Sequence, residues 1–210
     1  MSDFGTMVTR IRDDLDRGTD FDQRIKQAIC DAIVFYSPSR LGFNTKRSRA
    51  LVTSGMEMVA LPTDWIEADY LRLENDGQRV PIEEVGYDTI EDRRQNDDDR
   101  GEPEMYSIQH REMRLYPIPD HTYTLVLSFQ FEMTSISISA LSTESNAWMT
   151  EAEMLIRTWA MGDVLINHIK GPAALERGLL LQRKAEQEIL PKLEARAARE
   201  QSAGKIKGFI

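Results

Sequence analysis

The sequence predicts an α+β fold in which a bundle of N- and C-terminal helices carries an inserted antiparallel β lobe. Apolar residues recur with the 3.6-residue period of helices before residue 37 and again after residue 150. Between these stretches the period falls to two, as in strands with one buried face. Terminal helices with unpartnered apolar faces are expected to pack together, so we assign residues 1–43 and 146–200 to a helical bundle and residues 44–145 to the lobe.

Two amphipathic helices are predicted at the N-terminus. The first follows a cap at Ser2 or Asp3. The second begins at Asp20 and stops at Pro38, because proline disfavours helical geometry in the residue before it. Cys30 lies beside the apolar stripe of the second helix and is interpreted as a small buried side chain. The apolar stripe of the first helix consists of Phe4, Met7, Val8, Ile11 and Leu15.

Short strands and turns follow. Gly55 marks an early turn, and Pro81 fits only an edge or irregular strand, because it has no N–H for a sheet hydrogen bond. Residues 123–133 alternate most clearly and predict a long antiparallel strand with one buried face, an alternation that Ile136 and Ile138 extend.

An acidic segment interrupts the strands between residues 87 and 104. Its first part is predicted to be a short helix, and its Asp97–Asp99 end a solvated loop.

Two further helices are predicted after the strands. The first starts at the capping-box pattern 150–153, and Gly171-Pro172 ends it and begins the second, since proline is tolerated in the first turn of a helix. Residues 201–210 lack periodicity and are predicted to form a flexible C-terminal tail. The inward face of the second helix is predicted to consist of Leu175, Leu179, Leu180, Ile189 and Leu193.

Length and charge limit the function classes. A chain of 210 residues can form one or two domains with a sizeable core. No apolar run approaches the ~20 residues of a membrane span, no secretory signal is visible, and one cysteine cannot form an internal disulfide, so a cytosolic origin is expected. The net charge of −9 argues against general nucleic-acid binding. The small basic cluster of Lys46, Arg47 and Arg49 is interpreted as a solvated face or a protein contact.

No motif for catalysis or metal binding is found. The sequence lacks the glycine-rich phosphate loop, the dinucleotide-binding fingerprint and the serine elbow, and its three histidines lack zinc-site spacing. The run Asp97–Asp99 lacks the loop glycine and distal glutamate of a calcium-binding EF-hand. We therefore expect no catalytic residue, no cofactor and no metal site.

The order of elements and three short motifs carry a family resemblance. The motifs are 61–65 (LPTDW) at the entry to the lobe, 115–120 (LYPIPD) before the long strand, and 145–149 (SNAWM) before the returning helix. Over roughly residues 3–195 the chain resembles the head-to-tail adaptor (connector) proteins of tailed bacteriophages, the group that includes tail accessory factors and tail tubular protein A.

The resemblance implies a structural, non-enzymatic role in the virion. Such proteins form a ring, commonly a dodecamer, beneath the portal protein; the ring extends the DNA channel and is the platform for a downstream tail or nozzle protein. Genomic DNA is then expected to pass through without specific binding, and no membrane is involved. The implied location is the neck of the virion, after assembly in the host cytoplasm.

Two segments are singled out for interactions. A C-terminal segment that can order on a partner, with the two apolar terminal residues as anchors, is expected to bind the portal. The acidic segment is expected to face either the lumen of the ring or a neighbouring subunit. The residues proposed for the portal contact are Lys205, Ile206, Lys207, Phe209 and Ile210. Those proposed for the acidic surface are Asp92, Asp97, Asp98 and Asp99.

Two alternatives from other classes stay open on the sequence alone. One is a carboxylate- or metal-dependent hydrolase that uses Asp92, Asp97 or Asp99, because carboxylates distant in sequence can meet in space. The other is a monomeric binding adaptor in a cellular complex.

Overall fold

The computed structural model describes residues 2–75, 77–96, 99–133 and 136–206, and it confirms the α+β class. The chain forms two compact units. We call residues 1–43 with 133–210 the helical unit and residues 44–132 the β unit. Residues 133–145, which we assigned to the lobe, therefore group with the helices. Ile136 does not extend the long strand; it is buried in the core of the helical unit.

The helices are α1 Phe4–Asp14, α2 Asp22–Tyr36, α3 Tyr87–Asn96, α4 Ala147–Thr150, α5 Glu153–His168, α6 Pro172–Lys184 and α7 Leu190–Ile206. The strands are β1 Thr45–Val52, β2 Met58–Ala60, β3 Trp65–Asn75, β4 Gln78–Pro81, β5 Glu83–Glu84, β6 Arg100–Gly101, β7 Met105–Gln109, β8 Glu112–Tyr116, β9 Ile118–Pro119 and β10 Tyr123–Phe131. One turn of π-helix, Ala185–Ile189, joins α6 to α7.

The N-terminal helices bury the faces that their periodicity predicts. The Asp3 carboxylate caps α1 by accepting a hydrogen bond of 2.7 Å from the backbone N–H of Thr6. The predicted stripe of α1 is buried from Phe4 to Leu15, and α2 buries Ile25 together with the apolar residues that follow it at helical spacing. These faces pack with α5 into one apolar core.

The start of the C-terminal helices differs from the prediction. The prediction of a capping box at Thr150 is wrong. Asn146 instead caps a separate short helix, α4, because its side-chain oxygen accepts a hydrogen bond from the backbone N–H of Met149. Thr150 is the last residue of α4, and α5 starts at Glu153 without a side-chain cap. The physical reason is that α4 places Trp148 and Met149, both fully buried, in the core.

The packing of α6 also differs from the prediction. Leu175, Leu179 and Leu180 are exposed instead of inward-facing. The helix lies antiparallel on α5 through Gly178, and a Cβ atom at this position would come within 2.8 Å of the backbone oxygen of Gly162. Glycine at both positions thus lets the two backbones approach closely, and the contact uses the small-residue side of α6.

The C-terminal helix is longer than the prediction. Beyond the π-helical turn, α7 continues to Ile206, so residues 201–206 of the predicted flexible tail have a helical backbone. Residues 207–210 lie outside the described residues.

Two four-stranded sheets form the β unit. Their orders are β1-β10-β3-β4 and β2-β8-β7-β5, and β6 pairs with β9 separately. Pro81 lies on the edge strand β4, as its missing N–H predicts. The prediction of one buried face for β10 is wrong, because Val126, Ser128 and Gln130 on its other face are buried too.

Candidate interaction surfaces

The clearest candidate surface is apolar and lies on α6. Leu175, Leu179 and Leu180 are exposed by 46%, 50% and 56%, and we call them the α6 apolar face. The side of α6 with Ala174 and Gly178, continued by Ala185 of the π-helical turn, packs into the bundle, so the leucines remain toward solvent. Three neighbouring exposed leucines on one helix are more than a scatter of single apolar residues and are typical of an interaction site.

A second apolar surface lies at the C-terminal end of α2. Val34 and Phe35 are more than half exposed, and the ring of Phe35 stacks on that of Trp159 from α5, with 5.4 Å between ring centroids. We call Val34, Phe35 and Trp159 the α2 aromatic patch. Both α2 and α6 pack on α5, so the helical unit carries two distinct apolar surfaces on helices that share one neighbour.

A partly buried carboxyl lies on the same central helix. Burial raises the pKa of the Asp163 carboxyl, and the negative charge of Asp31 on α2 adds to the rise. The side-chain amide of Asn167 opposes the rise by donating a hydrogen bond of 2.7 Å to Asp163. The ionised form of Asp163 is therefore disfavoured in the folded protein relative to the unfolded chain.

We expect Asp163→Asn to raise the unfolding temperature at pH 7 by about 1–2 °C, a small shift because water screens a partly exposed carboxyl. The charge penalty exists only above the pKa of the unfolded carboxyl, about 3.9, so the difference from the unchanged protein should vanish as the pH falls toward 4. Thermal unfolding followed by circular dichroism at both pH values measures this. Equal unfolding temperatures at pH 7 would contradict it.

The residues predicted for the portal contact lie at the end of α7 and beyond it. The backbones of Lys205 and Ile206 belong to α7. Lys207, Phe209 and Ile210 lie outside the described residues. The portal contact therefore stays a prediction.

The acidic segment is partly an ordered helix. Asp92 lies in α3, which buries Ile90 completely. Arg94 of α3 donates to the carboxylate of Glu57 at 2.8 Å and to the carbonyl of Leu115 at 3.0 Å. A second ion pair joins Glu91 to Arg114. These contacts hold α3 against the strands of its own unit.

The remaining acidic residues fall after α3. Asp99 precedes β6, and its carbonyl accepts a hydrogen bond of 3.0 Å from the N–H of Ile118. Asp97 and Asp98 lie outside the described residues, so the orientation proposed for this segment stays a prediction.

The described part of the chain contains no group of three or more His, Cys, Asp or Glu residues placed to hold a metal ion. In the same residues no helix has the length and apolar character needed to cross a membrane. The thiol of Cys30 is half-buried and donates to the carbonyl of Ile136 at 3.1 Å, and burial raises its pKa. A raised pKa keeps the thiol protonated and therefore a poor nucleophile.

Sequence periodicity missed the α6 apolar face, because it marks leucines as apolar without showing what covers them. The signal that could have found it is the small-residue spacing of Ala174, Gly178 and Ala185, which marks a second and narrower packing side along α6 and the turn that follows it.

A family model described as SU10 adaptor protein matches residues 2–202, which is nearly the whole chain. No curated protein matches the chain.

Proposed function

The chain belongs to the SU10 adaptor protein family, and from this premise we propose that it forms a ring below the phage portal, extends the DNA channel and provides the attachment platform for the tail. Membership confirms the predicted relation to phage head-to-tail adaptors, and it implies a structural role at the neck of the virion. Ring formation, the channel and the tail platform are our inferences beyond the family.

The α6 apolar face and the α2 aromatic patch support the ring. A ring needs heterologous contacts, in which one surface of a subunit binds a different surface of the next. The helical unit offers two such surfaces, one with Leu175, Leu179 and Leu180 and the other with Val34 and Phe35. We infer that the α6 apolar face of one subunit packs against the α2 aromatic patch of its neighbour.

The charge of the chain supports passage of DNA without retention. Each copy carries a net charge of −9, so a ring of copies is strongly negative. A negatively charged channel surface repels the phosphates of DNA, whereas clustered Lys and Arg would bind the phosphates and release counterions. We infer that the lumen of the ring lets DNA slide, and that the protein acts without catalysis.

The portal contact is proposed for the end of α7 and the residues after it. Lys205, Ile206, Lys207, Phe209 and Ile210 combine two cations with three apolar side chains, a composition that suits an apolar anchor with basic flanks. The helical backbone of α7 extends to Ile206, so Lys205 and Ile206 have a defined backbone before binding, which lowers the entropy cost of the contact.

We expect deletion of residues 201–210 to leave the fold intact and to abolish binding to the portal ring of the same phage. A second variant, full-length Phe209→Ser with Ile210→Ser, keeps the chain length and removes only the apolar anchors, so it should lose portal binding too. Circular dichroism checks the fold, and the mass of the complex formed on adding portal rings measures binding.

The mass measurement also tests the main proposal. The full-length protein should form a complex with the portal that contains a ring of adaptor subunits. A full-length protein that stays monomeric beside portal rings would contradict the ring. Equal portal binding by the truncated protein would contradict only the C-terminal contact.

A further inference from the structure

The β unit has an open edge at its longest outer strand. Within the described residues β1 pairs only with β10, and it ends the order β1-β10-β3-β4. In an antiparallel ladder every second residue of an edge strand directs its N–H and C=O away from its partner. An eight-residue edge strand such as β1 is therefore a template on which a further strand can pair.

An apolar cavity of about 220 Å³ opens beside this edge, between the two sheets. Its floor is formed by buried side chains, among them Leu71, Met113 and Leu125. Its rim is formed by partly exposed residues of the two edge strands, Ala50 from β1 and Val59 from β2. Apolar cavities of about 150 Å³ bind benzene, so this one can hold an aromatic side chain.

The register explains why the cavity lies at the edge. Ser48 is paired with Leu127 and Ala50 with Leu125, so the two small residues share the inner face of the sheet with large ones. Small side chains at the outermost strand leave space between the sheets, and the larger side chains of β10 fill it further in.

The outer face of β1 has the opposite character. Arg47 and Arg49 alternate with the small inner residues and are exposed, and Arg49 lies opposite Val126, which in turn pairs with Arg72. Glu74 is the carboxylate that pairs with Arg49, at 3.4 Å, and it is shared with Arg79 at 3.0 Å. A strand added at this edge would therefore gain from acidic residues on its outer face.

A second copy of this chain is a poor occupant. Antiparallel self-pairing of β1 would bring Arg47 and Arg49 against the same residues of the other copy, and like charges opposite each other are destabilising. The other edge of this sheet, β4, carries Arg79 and has no N–H at Pro81. Arg47 and Arg49 thus disfavour pairing with β1 or β4 of a second copy and favour an acidic strand.

We propose that the β1 edge and the adjacent cavity bind an extended acidic segment of a partner protein. The segment pairs its backbone with β1, directs an aromatic or large aliphatic side chain into the cavity, and places acidic residues beside Arg47 and Arg49. This is recognition by strand addition, in which the backbone supplies affinity and a pocket for alternate side chains supplies specificity. It does not depend on the formation of a ring.

The probe is a synthetic peptide, Glu-Val-Glu-Phe-Glu-Val-Glu, in which Glu occupies one face and Phe the centre of the other. We expect it to bind the full-length protein, measured by isothermal titration calorimetry. Replacing Phe by Ser in the peptide should weaken binding by about tenfold or more, because the cavity loses its aromatic occupant. Replacing every Glu by Lys should abolish binding.

Two protein variants locate the site. Ala50→Leu fills the cavity with an apolar side chain, so it should weaken peptide binding by about tenfold while keeping or raising the unfolding temperature. Arg47→Glu with Arg49→Glu should weaken binding without filling the cavity. Arg100→Glu, on the exposed strand β6 outside this sheet, is the matched control and should leave the affinity unchanged.

Three outcomes overturn the proposal. The first is absence of binding of the Glu-Phe peptide to the full-length protein. The second is equal binding by the unchanged protein and the Ala50→Leu variant. The third is self-association that competes with the peptide and disappears in the Ala50→Leu variant, since this would assign the edge to a second copy of the chain.

Discussion

Replacing Gly162 by valine is expected to lower the unfolding temperature by about 6–12 °C. The Cβ atom of any larger residue would come within 2.8 Å of the backbone oxygen of Gly178, so α5 and α6 would have to separate. Overpacking costs about 1–3 kcal/mol, and separating two backbones lies at or above that range. In a chain of this size each kcal/mol lowers the unfolding temperature by about 2–4 °C.

Thermal unfolding followed by circular dichroism at 222 nm measures the effect of Gly162→Val. Gly86→Ala is the control, because a Cβ there meets only the Thr89 side chain at an ordinary distance of 3.7 Å, and its effect should stay within about 0.5 kcal/mol. An unchanged unfolding temperature for Gly162→Val would show that the helices do not cross at this pair of glycines.

Replacing Leu175, Leu179 and Leu180 together by serine is expected to leave the subunit folded and to weaken ring formation by about a hundredfold. These side chains are about half-exposed in the subunit, and none of them belongs to its buried core or packs against it. Burying the remaining apolar area of each in a contact between subunits is worth about 1 kcal/mol, and three such terms give about a hundredfold change in affinity.

Sedimentation velocity over a range of protein concentrations, with and without portal rings, measures this effect. Leu141→Ser is the matched control, because Leu141 is 68% exposed in the same unit and lies outside the α6 apolar face. If the triple variant assembles to the same mass at the same concentration as the Leu141→Ser protein, the α6 apolar face is not the contact between subunits.

The helices show how far local pattern carries a prediction. For α1, the capping residue Asp3 and the buried stripe that ends at Leu15 follow from spacing within thirteen residues, and the structure has both. The pattern at Thr150 looks equally good as a cap, yet Asn146 is used, because only the folded core provides the site that buries Trp148. Two adequate local signals compete there, and packing decides between them.

The strands show that a local sequence pattern does not predict which strands pair. The turn at Gly55 follows β1, but β1 pairs with β10 and β2 pairs with β8 in the other sheet. Periodicity of two shows that a segment is a strand and carries no information on its partner. The cavity beside β1 depends on this pairing, because it forms where the small residues of β1 face the second sheet.

The sequence by itself determined the α+β class, the order of helices and strands, the bulk acidity and the resemblance to phage head-to-tail adaptors, because each depends on composition or on spacing within a few turns. Only the tertiary structure decided which apolar residues remain exposed on the surface. Leu175 and Leu179 have the spacing of core residues, but the close approach at Gly162 and Gly178 turns another side of α6 inward. Burial depends on what packs against a helix face, and that partner is distant in the chain.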